Sequence, residues 1–114
     1  MTLDDEIAEY LKVFCMGEQA AVTSRTLEDT FHIRGPDLRR IINRLRGEGI
    51  PICSFKAGYY YAETEEEVQR SVRQLRSRIK KIAYAERGMT KALAVFCDSG
   101  QITLDMEDSG GDTP

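Results

Sequence analysis

The sequence has little of what most catalytic and metal sites are built from. It contains one histidine, His32, no tryptophan, and three cysteines that stand far apart, at positions 15, 53 and 97. An odd, scattered set of cysteines fits neither a disulfide framework nor a Cys-x-x-Cys metal motif, so we predict three small buried apolar residues. The chain also has no glycine-rich phosphate loop, no His-Glu-x-x-His and no nucleophile with a recognisable base. We therefore expect no enzymatic activity, no cofactor and no metal.

Long hydrophobic runs are also missing. No apolar stretch approaches the roughly 20 residues of a membrane helix, and the opening "MTLDDEIAEY" is acidic where a signal peptide would be basic. We expect a cytoplasmic protein without a membrane span. The 114 residues fit one domain, and no segment suggests an effector domain, so a small-molecule ligand is not expected.

Positive charge is scarce overall but concentrated in two segments. The net charge is −3 and the pI is about 5.2, where nucleic-acid binders are usually basic. Yet the range 25–56 has seven basic and four acidic residues, a net +3, and the range 70–91 has eight basic and one acidic, a net +7. The acidic residues gather near the N-terminus, at 63–67 and in the tail. This distribution allows a basic face on an acidic protein.

Three helices are predicted in the first half of the chain. Apolar residues at helical spacing predict the first over 3–16, with Thr2 as its N-cap. Thr23 caps a second, short helix that runs to His32. Pro36 begins the third, because proline is favoured in the first turn of a helix. The third helix has an apolar stripe for the core, formed by Leu38, Ile41, Ile42 and Leu45.

A hairpin follows, in "IPICSFKAGYYYAET". The turn lies at "FKAG", where Gly58 is expected to adopt the positive φ of a tight hairpin. Side chains alternate along a strand, so Tyr59 and Tyr61 share one side and Tyr60 takes the other, which excludes a platform of three rings. Either face could pack on the core, and base stacking by one ring stays open. The short piece at 20–22 could add a small strand.

A long helix is predicted after the hairpin, with Thr64 and Glu67 as a capping box. Its apolar residues follow one another at steps of four and three, a spacing that indicates packing on the helix's own domain or on one partner helix. These residues, the predicted dimerisation stripe, are Val68, Val72, Leu75, Ile79 and Ile82. The basic stretch 70–81 is either a solvated surface or a second phosphate-contacting element. Residues 98–114 are predicted to form an acidic, flexible tail.

The order of these elements resembles a winged helix-turn-helix domain. The stretches "VTSRTLEDTFHIRGPDLRRIINRLRGEGIPI" and "KAGYYYA" are similar to winged-helix modules of biotin repressors and of small bacterial and prophage transcription regulators. The resemblance implies an α+β fold with three helices and a hairpin wing over residues 1–62. The long helix, residues 63–97, would be an additional dimerisation element, and residues 98–114 the tail.

The resemblance further implies that the helix 36–46 docks in the major groove of double-stranded DNA. Arginine pairs with guanine and asparagine with adenine, so the predicted base contacts are Arg39, Arg40 and Asn43. The predicted phosphate contacts are Arg34, Arg44 and Lys56. Asp37 is an acidic residue on this otherwise basic surface. It either caps the helix, accepts a hydrogen bond from the amino group of cytosine, or weakens DNA binding by repelling phosphate.

We therefore expect a non-catalytic DNA-binding homodimer, either a transcription regulator or an accessory factor of phage or plasmid origin. The dimer would form through the apolar stripe of the long helix. The alternative is an adaptor that uses a winged-helix fold for protein–protein interaction and does not bind DNA.

Overall fold

The computed structural model describes residues 1–97, which form four α-helices and a small antiparallel sheet. In chain order the elements are α1 (Leu3–Phe14), a 3₁₀ helix (Glu18–Ala20), β1 (Val22–Thr23), α2 (Ser24–Phe31), α3 (Gly35–Gly47), β2 (Ile52–Phe55), β3 (Gly58–Tyr61) and α4 (Glu65–Cys97). The expected α+β class and the long C-terminal helix are confirmed. The predicted tail, 98–114, lies outside the described residues.

The helices begin where the capping residues predict. At α1 the Thr2 hydroxyl accepts from the Asp5 N–H, and the Asp5 carboxylate accepts from the Thr2 N–H. The Thr23 hydroxyl accepts from the Thr26 N–H at the start of α2. Pro36 lies in the first turn of α3. These caps satisfy N–H groups that have no partner inside the helix.

The chain divides into two units, Met1–Arg76 and Ser77–Pro114. The hydrophobic core belongs to the first unit, where the apolar stripes of α1, α2 and α3 meet the sheet. Its buried members are Ile7, Leu11, Cys15, Leu27, Leu38, Ile41, Ile42, Leu45 and Ile52. Burial of this set fixes α3 with one face inward and leaves the opposite face in solvent.

The sheet has the strand order β1-β3-β2, so β3 lies in the centre. Phe55 pairs with Gly58 across the hairpin, which leaves a two-residue loop. The positive φ of this turn belongs to Lys56, at 55°, and the expectation that Gly58 adopts it is wrong. Gly58 is buried and pairs with Thr23, and a Cβ there would overlap the Val22 carbonyl oxygen. Close packing of β1 therefore requires this glycine.

The three tyrosines of β3 alternate as predicted. Tyr59 and Tyr61 are half-buried and pack against the core. Tyr60 is only 3% exposed, and its cross-strand partner is Cys53, which is also outside the main core cluster. Burial, together with the Cys53 thiol, raises the pKa of Tyr60 to about 12. Both faces of the sheet are therefore covered.

Two of the three cysteines are buried as predicted. Cys15 and Cys53 are each almost fully enclosed, and burial raises the pKa of the Cys15 thiol, which makes it a weaker nucleophile. Cys97 is only partly buried, so the prediction is wrong for that position. It lies at the end of α4, in the second unit.

The first turn of α4 is fastened to the rest of the first unit. The Glu67 carboxylate accepts from the Glu63 N–H at 2.6 Å and from the Glu18 N–H at 3.1 Å, and these bonds lower the pKa of Glu67. The Thr64 hydroxyl accepts from the Glu67 N–H, as predicted. The Glu67 carboxylate therefore binds the Glu63 and Glu18 N–H groups in addition to the Thr64 backbone, which also lowers its pKa. No helix within residues 1–97 is long and apolar enough to span a membrane.

Candidate nucleic-acid interface

The exposed side of α3 presents three of the predicted DNA-contacting residues together. Arg39, Arg40 and Asn43 all lie in solvent, on the side of the helix opposite the buried stripe. We call this surface the arginine face. The four buried residues of α3 anchor the helix in the core, so the arginine face is carried on a rigid element, as a recognition surface requires.

Within the arginine face, the two arginines differ in their partners. The Arg40 guanidinium donates to the Asp37 carboxylate one turn earlier at 2.7 Å. Both side chains are more than half exposed, so the pair is screened by water and contributes little to stability. Among residues 1–97, Arg39 has no hydrogen-bond or ion-pair partner. All of its donors are available to a ligand.

The predicted phosphate contact Arg44 faces a different direction. Its Nε and Nη2 atoms donate to the two carboxylate oxygens of Asp4, at 3.0 and 3.1 Å. This bidentate pair joins α3 to the first turn of α1, and the hydrogen bond from Arg44 holds the pKa of Asp4 below its usual value. Three N–H groups of Arg44 remain. The side chain is 57% exposed, so its role as a phosphate contact stays a prediction.

The other two predicted phosphate contacts lie at the ends of loops. Arg34 is exposed at the N-cap position of α3, next to the arginine face. Lys56 is exposed in the hairpin loop, with its ammonium 5.3 Å from the centre of the Phe55 ring. The same loop is fixed by a hydrogen bond from the Ser24 N–H to the Ala57 carbonyl, which places it beside the start of α2.

A positioning residue that sequence reasoning missed is Arg46. Its Nε donates to the Ile52 carbonyl at 2.8 Å and its Nη2 to the Ser54 hydroxyl at 3.0 Å. Arg46 is half-buried and connects the end of α3 to β2. Its spacing from the buried Ile42, four residues earlier, is the signal that could have separated it from the exposed arginines.

The five residues predicted for dimerisation fall into two groups. Val68 and Leu75 are half-buried and, with Val72, line a mostly apolar pocket of about 190 Å³ against Ile50 and Pro51 in the first unit. Val72 remains 38% exposed. Ile79 and Ile82, in the second unit, are 64% and 53% exposed. Only the second group is fully available to a partner.

Neither metal chemistry nor a relative offers another interpretation of these surfaces. In the part of the chain that the structure describes, no group of three or more His, Cys, Asp and Glu side chains could hold a metal ion. No protein-family model, curated protein or solved structure matches the chain. The arginine face is therefore interpreted from its own chemistry.

Proposed function

We propose that residues 1–62 form a winged helix-turn-helix domain that binds double-stranded DNA without catalysis, in the cytoplasm, as a transcription regulator or a phage or plasmid accessory factor. The element order α1, β1, α2, α3, β2, β3 supports the winged-helix assignment. In this proposal α3 enters the major groove and the loop that contains Lys56 acts as the wing on the DNA backbone.

The arginine face is the observation that carries the proposal. Arg39 is exposed and has no partner within residues 1–97, and Arg40 is held only by an exposed ion pair with Asp37. Two arginines and Asn43 on one anchored helix match the donor and acceptor patterns of guanine and adenine in the major groove. Arg34, Lys56 and the free N–H groups of Arg44 would contact phosphates and set the register.

A homodimer is part of the proposal. Ile79 and Ile82 are exposed, and the helix continues with two further exposed apolar residues at seven-residue spacing, Met89 and Phe96. An apolar stripe of this length is unfavourable in water and is buried when two such helices pair. Pairing also doubles the number of arginine faces, so the DNA site of a dimer would be palindromic.

The test is fluorescence anisotropy on a pool of random-sequence duplexes at low and near-physiological salt, followed by sequencing of the bound fraction. We expect salt-weakened binding and an enriched motif. The variant R39A/R40A should lose the motif. The control variant K12E, which lowers the net charge by the same two units at an exposed position of α1, should keep it.

Two outcomes would contradict the proposal. Absence of duplex binding at low salt would exclude DNA binding. Equal loss of the motif in R39A/R40A and in the control variant would mean that the binding is general charge attraction. Light scattering on the same samples tests the dimer, because a monomer mass at high micromolar concentration would exclude pairing through α4.

One observation favours an adaptor as the second candidate function. Val13 and Phe14 on α1 are 58% and 68% exposed, and exposed apolar side chains of this size are common at protein interfaces. In an adaptor, the exposed residues of α1 would contact a protein partner and the arginine face would be a solvated surface. The variant R39A/R40A would then leave binding of that partner intact.

A further inference from the structure

The described part of the second unit, residues 77–97, has a charge opposite to that of the whole protein. It contains five basic residues and one acidic residue, a formal net charge of +4, whereas the chain carries −3. The segment lies entirely within α4, so its charges are arranged by the helical period. Three of its basic residues, Lys80, Arg87 and Lys91, fall on one side of the helix, whereas Arg78 lies one turn before Ile82 on the apolar side.

One side carries a row of exposed polar side chains, Lys80, Tyr84, Arg87 and Lys91, at steps of four, three and four. We call this row the basic stripe. The opposite side, by the 3.6-residue period, carries the exposed apolar residues Ile79, Ile82, Met89 and Phe96. From Lys80 to Lys91 the stripe is about 16 Å long, which corresponds to roughly five base-pair steps of duplex DNA.

The basic stripe lacks the counter-charges that usually accompany such a row. Within residues 1–97, none of Lys80, Arg87 and Lys91 has an ion-pair or hydrogen-bond partner. The one acidic residue nearby, Glu86, accepts from the Thr90 hydroxyl at 3.1 Å. Arg87 and Lys91 are four residues apart, a spacing at which like charges destabilise a helix. An anionic ligand would remove this repulsion.

We infer that the basic stripe is a second DNA-binding surface, which contacts phosphate groups of duplex DNA; this inference rests on the proposed function. Ammonium and guanidinium groups bind phosphate oxygens, and the Tyr84 hydroxyl can donate to one as well. Such contacts increase affinity and salt dependence without reading sequence.

The position of the stripe favours DNA over an anionic membrane. A helix that binds a membrane surface inserts its apolar side among the acyl chains. In the proposed dimer the apolar side of α4 is buried against the partner helix, and the basic stripe is the side left free. Membrane binding would therefore require the dimer to dissociate.

The experiment compares the full-length protein with R87A/K91A on the random-sequence duplex pool, over a series of salt concentrations. We expect R87A/K91A to weaken binding roughly tenfold at low salt, with the enriched motif unchanged, and to lower the salt slope by about 0.9 for each phosphate that the variant no longer neutralises. The control K12E lowers the net charge by the same two units at an exposed position of α1 and should keep the wild-type slope. R87K/K91R keeps both charges and should bind as wild type does.

Three results would overturn the inference. One is an equal effect of R87A/K91A and the control K12E while the wild-type protein still binds duplex DNA; the proposed function would then stand without the basic stripe. A second is absence of wild-type duplex binding, which removes the proposed function as well. A third is binding of wild-type protein, but not of R87A/K91A, to vesicles that contain phosphatidylserine, together with unchanged duplex binding. Circular dichroism checks that the total helix content is equal in all variants.

Discussion

Replacing Gly58 by alanine should destabilise the fold strongly, because the position has no room for a Cβ atom. Besides the overlap with the Val22 carbonyl oxygen, the new atom would lie 2.8 Å from the Val22 carbonyl carbon and 2.9 Å from the Thr23 Cα. All three atoms belong to the backbone of β1, so no side-chain rotation relieves the clash. β1 must move away from β3.

The magnitude follows from what that movement disrupts. Overpacking a tightly packed site costs about 1–3 kcal/mol. We expect the upper part of that range here, because the new Cβ atom would clash with backbone atoms, which cannot rotate away. A shift of β1 also displaces Thr23, whose hydroxyl caps α2, and loss of such a cap costs about 1 kcal/mol. We expect G58A to lower the free energy of unfolding by about 3 kcal/mol, a large part of the ~5–15 kcal/mol of a typical domain.

Urea denaturation followed by far-UV circular dichroism measures the effect as a lower midpoint at unchanged slope. Gly47→Ala is the matched control. Gly47 lies in α3 with no atom within 4 Å of a new Cβ, so alanine should stabilise the helix there by roughly 0.5–1 kcal/mol. An unchanged midpoint for G58A, or an equal loss in G47A, would refute the steric argument.

Two further predictions concern the hairpin. Lys56→Gly should raise the free energy of unfolding by up to about 1 kcal/mol, because a residue with a Cβ is strained at a φ of 55°; a lower urea midpoint would mean that the interaction with the Phe55 ring outweighs the strain. Folding raises the pKa of Tyr60 from 10.0 to about 12, so as the pH rises the unfolded chain loses the phenol proton before the folded protein does. The contribution of Tyr60 to the free energy of unfolding is therefore complete below pH 10 and is lost as the pH rises to 12. Wild type should therefore lose on the order of 2 kcal/mol more than Tyr60→Phe across that window, and equal losses in urea titrations of the two proteins would contradict the assignment.

The parts of the fold that could be predicted are those encoded by nearby residues. The stripe of α3 and the Thr23 cap of α2 depend on spacings of three and four residues, and the structure agrees with both. The role of Gly58 could not be predicted, because it depends on β1, more than thirty residues earlier. A two-residue strand carries almost no pattern of its own, and its pairing is visible only in three dimensions.

The same distinction applies to the candidate site. The sequence indicates that α3 has an arginine-rich outer face, but it does not indicate which arginines are occupied. Arg44 is paired with Asp4, forty residues away, and Arg46 is turned towards β2. Arg39 and Arg40 are the arginines of α3 that solvent reaches without a long-range partner within residues 1–97. Charge counting alone overstates the free positive charge of this helix.

The hydrogen bond from the Glu18 N–H to the Glu67 carboxylate has a consequence for the order of folding. It joins residues 49 positions apart, and closing a loop of that length costs on the order of 3 kcal/mol in chain entropy. One hydrogen bond contributes about 1 kcal/mol, so it cannot form before the core and the sheet have brought its ends together. The first turn of α4 should therefore dock last and detach first. Because the Cys53 thiol donates to the Glu67 carbonyl in that turn, this sulfur should become reactive before the rest of the first unit opens.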